Sequence, residues 1–103
     1  MLKILIVDDH AVVRAGLKQI LAETPDMKVA GEAGSGAEAL KMAMRESFDL
    51  VLLDISMPDM NGLDVLKELH REDEDLPILM LSMYPEEQYA IRALKAGAKG
   101  YLT

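Results

Sequence analysis

Short apolar runs recur along this chain, and three of them stop at a polar or charged residue: Lys3–Val7 before Asp8-Asp9, Asp49–Leu53 before Asp54, and Ile78–Leu81 before Ser82. A short Val, Ile and Leu run without polar alternation suits a strand buried on both faces, as in a parallel sheet covered by helices. Between the runs the period changes. Val13, Leu17, Ile20 and Leu21 share a helical face with Arg14 and Lys18 off it, until Thr24-Pro25-Asp26 breaks the helix. Met27–Ala33 reads as a second strand. Ser35-Gly36-Ala37-Glu38 fits a capping box, in which hydroxyl and carboxylate satisfy free N–H groups reciprocally, and predicts a helix over Gly36–Glu46. A loop rich in breakers, Ser56–Gly62, leads into a helix with Leu63, Leu66 and Leu69 facing inward. Pro85-Glu86-Glu87 opens another helix that ends near Gly97, and Lys99–Leu102 begins a fifth strand. The order βαβαβαβαβ with short links predicts a single α/β domain over residues 1–103.

Composition supports one core and removes several function classes. Half of the 103 residues are hydrophobic but only three Tyr and one Phe are present, so Leu, Ile, Val, Ala and eight Met must fill the interior. A chain of this size buries about 65% of its unfolded surface, enough for one core and not for two. Eighteen acidic against eleven basic residues leave a net charge of −7, the wrong sign for wrapping nucleic acid. Without Cys there is no disulfide framework, thiolate nucleophile or Cys-based zinc site, and His10 and His70 cannot build a zinc cage alone. The apolar runs are far too short to span a bilayer, and Asp8-Asp9 follow the start too closely for a signal peptide. The expectation is a cytoplasmic domain with no membrane or nucleic-acid partner.

In an open parallel sheet, ligands bind beyond the carboxyl ends of the strands, near the point where strand order reverses. The polar residues collect there: Asp8 and Asp9 from the first strand, Asp54 from the third and Ser82 from the fourth. If those strands are neighbours, three carboxylates and a hydroxyl converge. Such acids repel one another, and a hard divalent cation such as Mg²⁺ relieves the repulsion with a few oxygen ligands, waters and a phosphate oxygen. One carboxylate can then attack phosphorus to give an aspartyl phosphate. Blander readings exist for each residue. Asp8-Asp9 alone would be strand termination, and only Asp54 at the matching end makes the pair a site. His10, opening a helix, reads as a surface or capping-region residue rather than a ligand. Ser82 alone would satisfy local backbone, Tyr101 would be a half-buried strand residue, and Arg92, Lys95 and Lys99 a solvated face.

The segments Ile4-Leu5-Ile6-Val7-Asp8-Asp9-His10, Asp54-Ile55-Ser56-Met57-Pro58-Asp59-Met60-Asn61-Gly62, Ser82 and Ala96-Gly97-Ala98-Lys99-Gly100-Tyr101 resemble the receiver domain of two-component response regulators. The opening and Val29-Ala30-Gly31-Glu32-Ala33 are similar to the branch that carries a LuxR-type helix-turn-helix output domain. The resemblance implies a flavodoxin-like, doubly wound, five-stranded parallel sheet in the order 2-1-3-4-5, and a phosphorelay switch that accepts a phosphoryl group from a sensor histidine kinase. It makes Asp54 the phosphoacceptor, Asp9, Asp54 and the Ser56 carbonyl direct Mg²⁺ ligands, and Asp8 a partner through a metal-bound water. Ser82 takes the place of the hydroxyl that moves to the phosphoryl group, and Tyr101 that of the aromatic switch residue. Ser56 and Tyr84 line the access of hydrolytic water.

The family also has a Lys at the end of its fifth strand, which falls one residue after Thr103, and Lys99 does not match it. A fifth helix would follow. The expectation is therefore a domain with four helices, truncated before its last, in which the face over strands three to five lacks cover. About 400 Å² of bare apolar surface would cost roughly 10 kcal/mol at 25 cal/mol per Å². Self-association through that face follows as an expectation. The alternative function is a phosphorylation-impaired interaction or dimerisation module.

Overall fold

The structure, a computed structural model, describes residues 1–54, 62–81, 95 and 97–102, with only the backbone of 101 and 102. Its elements are β1 (Leu2–Val7), α1 (Ala11–Ala22), β2 (Met27–Ala33), α2 (Gly36–Arg45), β3 (Leu50–Asp54), α3 (Gly62–Glu72), β4 (Ile78–Leu81) and β5 (Gly100–Leu102). The strands pair in parallel in the order β2-β1-β3-β4-β5. The chain is thus an α/β protein of flavodoxin-like arrangement. The helix expected to open at Pro85 lies outside the described residues, which hold three helices.

Alternation along β1 divides the core into two layers. Leu5 and Val7 join Val51, Leu53, Ile78 and Met80 beneath α2 and α3, while Ile4, Ile6 and Leu52 face α1. Right-handed crossovers produce this split, because the link through α1 runs toward β2 and the links through α2 and α3 run the other way. The inward stripe of α3 is as expected: Leu63, Leu66 and Leu69 are buried, and Val65 with them. Ser35 caps α2 by accepting from the Glu38 N–H at 3.2 Å. The return contact differs from the expected box, since the Glu38 carboxylate reaches the Gly34 N–H at 3.5 Å.

The α1 side is covered more loosely than the other. Along the helical face shared by Val13, Leu17, Ile20 and Leu21, Leu17 and Leu21 pack against the sheet, while Val13 is 36% and Ile20 63% exposed and no residue of α1 is fully buried. The sheet face on this side is less bare than expected. Leu52 is only 7% exposed, and Leu50, Leu79 and Leu81 are half-buried, packed against the same cluster.

Register is fixed at both ends of β1. At its start, the Lys3 N–H donates to the Asp49 carboxylate at 2.7 Å and the Asp49 N–H donates to the Lys3 carbonyl at 2.7 Å. Pairing then runs Ile4↔Leu50 to Val7↔Leu53, so Asp8 and Asp54 emerge level with each other. Between β1 and β2 the register slips by one residue: Ile4 faces Val29 but Leu5 faces Gly31, leaving Ala30 as a bulge.

Gly97 has φ +115°, and a Cβ there would lie 2.6 Å from the His70 ring at the end of α3. Both the backbone and the space require glycine. Gly97→Ala is expected to destabilise the fold by about 1–3 kcal/mol. The check is thermal unfolding, where each kcal/mol lowers the midpoint by about 4–8 °C for a domain of this size.

Candidate functional site

The carboxyl ends of β1 and β3 carry the acids. Asp8, Asp9, His10 and Asp54 each offer a ligand atom, and these atoms lie within 4.8 Å of one another. Asp8 is buried, Asp9 and Asp54 are half-buried and His10 is exposed. The sequence-predicted carboxylates are therefore brought together. Ser56, Ser82 and Tyr84 lie outside the described residues, and of Tyr101 only its backbone, paired with Met80 in β5, is described.

The turn after β1 is held from several sides. The Asp8 N–H donates to the Ala33 carbonyl at 3.0 Å, which continues the β1–β2 ladder by one step. Asp8 Oδ1 accepts from the His10 N–H at 2.8 Å, an Asx-type turn that ends the strand and starts α1. The same oxygen lies 3.0 Å from His10 Nδ1. His10 occupies the N-cap position of α1 with extended backbone, but its side chain makes no cap bond and turns instead to the acids. Sequence reasoning placed His10 correctly at the helix opening and missed this pairing. The signal was its spacing: two residues after an Asx acid, a side chain is carried back beside that acid.

The electrostatics follow from the crowding. At separations near 5 Å in a surface-like dielectric, each pair of carboxylates repels by on the order of 3 kcal/mol. The nearby acids hold the His10 imidazole above its usual range, chiefly through the hydrogen bond to Asp8 and then the charge of Asp9. One acceptor remains without a donor. Asp9 Oδ1 is buried and accepts no well-aligned hydrogen bond, although His10 Nδ1 is 3.0 Å away. A buried anionic oxygen left in this state, among hard oxygen donors, fits a cation ligand. The cluster can thus hold a divalent metal ion.

Arg14 and Glu32 lie beside the cluster and were not singled out as site residues from the sequence. Arg14 Nη1 donates to the Asp8 carbonyl at 2.5 Å, and its Nε donates to Glu32 Oε1 at 3.2 Å. Lys18 Nζ donates to Glu32 Oε2 at 2.8 Å. These cations lower the Glu32 carboxyl below the usual range, the Lys18 hydrogen bond foremost.

The raised His10 value gives a pH signature. Stabilisation from the His10–Asp8 contact is fully present below the ordinary imidazole range and is lost as the pH rises through the raised value. NMR titration of the ring is expected to place His10 above 6.5. Asp8→Asn is expected to lower it, since the largest cause is removed.

Comparison with known proteins places this arrangement. The response regulator receiver domain family matches residues 4–103. The response regulator UvrY of Escherichia coli K12 is 40% identical over 103 residues, covering 100% of this chain and 47% of its own. A LuxR-family two-component response regulator from Aurantimonas is 30% identical, with a TM-score of 0.94, over 98% of this chain and 72% of that one. A response regulator from Burkholderia pseudomallei, solved with a phosphorylated aspartic acid, calcium ion and citrate, is 29% identical, with a TM-score of 0.87, over 99% of this chain and 59% of that one. The chain spans about half the length of the curated relatives it matches. Among the described residues no helix is long and apolar enough to cross a membrane. A match that begins in β1, runs through β5 and takes the acid cluster with it decides the matter: this chain belongs to the response regulator receiver domain family.

Proposed function

We propose that this chain is the phosphoacceptor module of a cytoplasmic phosphorelay, taking a phosphoryl group from a sensor histidine kinase onto Asp54. The observation that carries the reading is the convergence of Asp8, Asp9 and Asp54 at the carboxyl ends of adjacent strands. In this reading an Asp54 carboxylate oxygen attacks phosphorus, the bond from phosphorus to the donor breaks, and the donor leaves with that electron pair. Bound Mg²⁺ would supply charge neutralisation for the acids and the phosphoryl oxygens. Asp9, Asp54 and the Ser56 carbonyl would hold it, with Asp8 acting through a water. The Ser82 hydroxyl would donate to a phosphoryl oxygen and Tyr101 would follow it as the switch. The phosphorylated aspartic acid and calcium ion of the Burkholderia relative support the same chemistry at this kind of site. In this reading the module controls a LuxR-type DNA-binding output domain in a longer protein.

Incubation with Mg²⁺ and a small acyl phosphate is expected to add one base-labile phosphoryl group, read by intact mass. Asp54→Ala should abolish the adduct. Absence of an adduct on a protein that carries the full catalytic set, including the fifth-strand Lys, would sink the reading.

A second reading, an interaction or dimerisation module, rests on the 63% exposed Ile20 on the α1 side of the sheet, where Leu50, Leu79 and Leu81 are only partly covered. Self-association through this side of the sheet is expected to appear in sedimentation as a concentration-dependent dimer, weakened by Leu79→Lys. A monomer at all micromolar concentrations would exclude it.

A further inference from the structure

We propose that Arg14, anchored by Glu32, is a positioning residue that sets the Asp8–Asp9 peptide plane and thereby the affinity of the acid cluster for Mg²⁺; the proposal rests on the site reading above. The geometry begins in β2. With uninterrupted register from Ile4↔Val29, Gly31 would face Ile6 and Glu32 would face Val7, on the side of α2 and α3. The bulge at Ala30 shifts this, so that Glu32 pairs with Ile6 and Ala33 with Val7. Paired residues in a parallel sheet point to the same side. The slip therefore turns Glu32 toward α1, where Ile6 packs, and puts Ala33 in the opposite core layer with Val7.

On that side α1 presents Arg14 and Lys18, one turn apart, and each takes one oxygen of Glu32. With Nε committed to Glu32, the planar guanidinium directs Nη1 at the Asp8 carbonyl, 2.5 Å away. That carbonyl belongs to the rigid peptide unit joining Asp8 to Asp9. Fixing its plane fixes where the Asp9 N–Cα bond leaves that unit, and so helps to orient the acid whose Oδ1 lacks a hydrogen bond. The Asp8 N–H is already held by the Ala33 carbonyl. The turn between the acids is thus bracketed by two groups of β2, one directly and one through Arg14.

Positioning and charge predict opposite signs. As a bare cation beside the cluster, Arg14 repels Mg²⁺, so removing it would tighten binding. As a bracket it holds ligands in place, and removing it would weaken binding. Groups that orient metal ligands typically contribute at least about tenfold in affinity.

The experiment is Mg²⁺ titration of the chain by NMR, comparing the unaltered protein with Arg14→Gln, Arg14→Lys, Glu32→Gln and Lys18→Gln. Arg14→Gln is expected to weaken Mg²⁺ about tenfold. Arg14→Lys should fail to restore it, because a single ammonium cannot reproduce the fork. Glu32→Gln should weaken binding in the same direction as Arg14→Gln, whereas a charge role would drive the two in opposite directions. Lys18→Gln should leave the affinity within twofold. In the metal-free protein the Asp9 amide should exchange faster in Arg14→Gln, a readout independent of any cation. Unchanged or tighter Mg²⁺ binding in Arg14→Gln, with the unaltered chain binding normally, would overturn this proposal and leave the site reading standing. If Arg14→Gln does not fold, unchanged binding in Glu32→Gln overturns it equally. No Mg²⁺ binding by the unaltered chain would overturn both.

Discussion

Lys3 and Asp49 exchange hydrogen bonds where β1 and β3 begin, and everything at the far ends of those strands depends on that register. The strands between are apolar and packed on both faces, so a charge within them would be buried without a partner. A shift of one residue would turn Leu5 and Val7 out of their layer and carry Asp8 out of line with Asp54. The packing that stabilises the sheet is therefore also what aligns the acids. Apolar fit at Ile4–Val7 against Leu50–Leu53 places two carboxylates level to within the spacing a cation needs.

The parts of the fold governed by a strong period were legible in the sequence. β4 and β2 have the predicted bounds, and α3 buries the three leucines expected of it. The acids at Asp8, Asp9 and Asp54 could be found because an apolar run that stops on an acid is legible without knowing the partner strand. The bulge at Ala30 could not be found that way. Its surroundings, Val29-Ala30-Gly31-Glu32-Ala33, are small or weakly patterned, and neither alternation nor its interruption stands out. Without the bulge, the face on which Glu32 lies is undetermined, and so is any partnership with Arg14. His10 escaped for a related reason: a helix-opening residue is ordinarily read for its own cap, not for the acid two positions behind it.

The amphipathic reading of α1 gives a face but not how far that face is covered. Val13 and Ile20 share it with Leu17 and Leu21, yet only the two leucines are partly buried against the sheet while Val13 and Ile20 stay exposed. A stripe on one helix says that apolar surface must be covered, not by which neighbour. The polar side of the same helix does the opposite. Arg14 and Lys18, read from the sequence only as lying off the apolar face, make the contacts that tie α1 to β2.

The acid cluster and its supports divide the work by distance. His10 stands directly among the acids, and protonated it relieves some of their repulsion. Arg14 stays on the backbone side, spending its hydrogen bonds on a carbonyl and on Glu32 rather than on the carboxylates themselves. A guanidinium paired directly to Asp8 or Asp9 would lower their repulsion more, but it would also fill their oxygens and compete with any metal. Holding the turn through its peptide group leaves the Asp9 oxygen without a hydrogen bond. The neutralising partner Glu32 further moderates the repulsion that Arg14 would exert on an incoming cation. Supports of this kind fix the geometry of the cluster without satisfying its ligand oxygens.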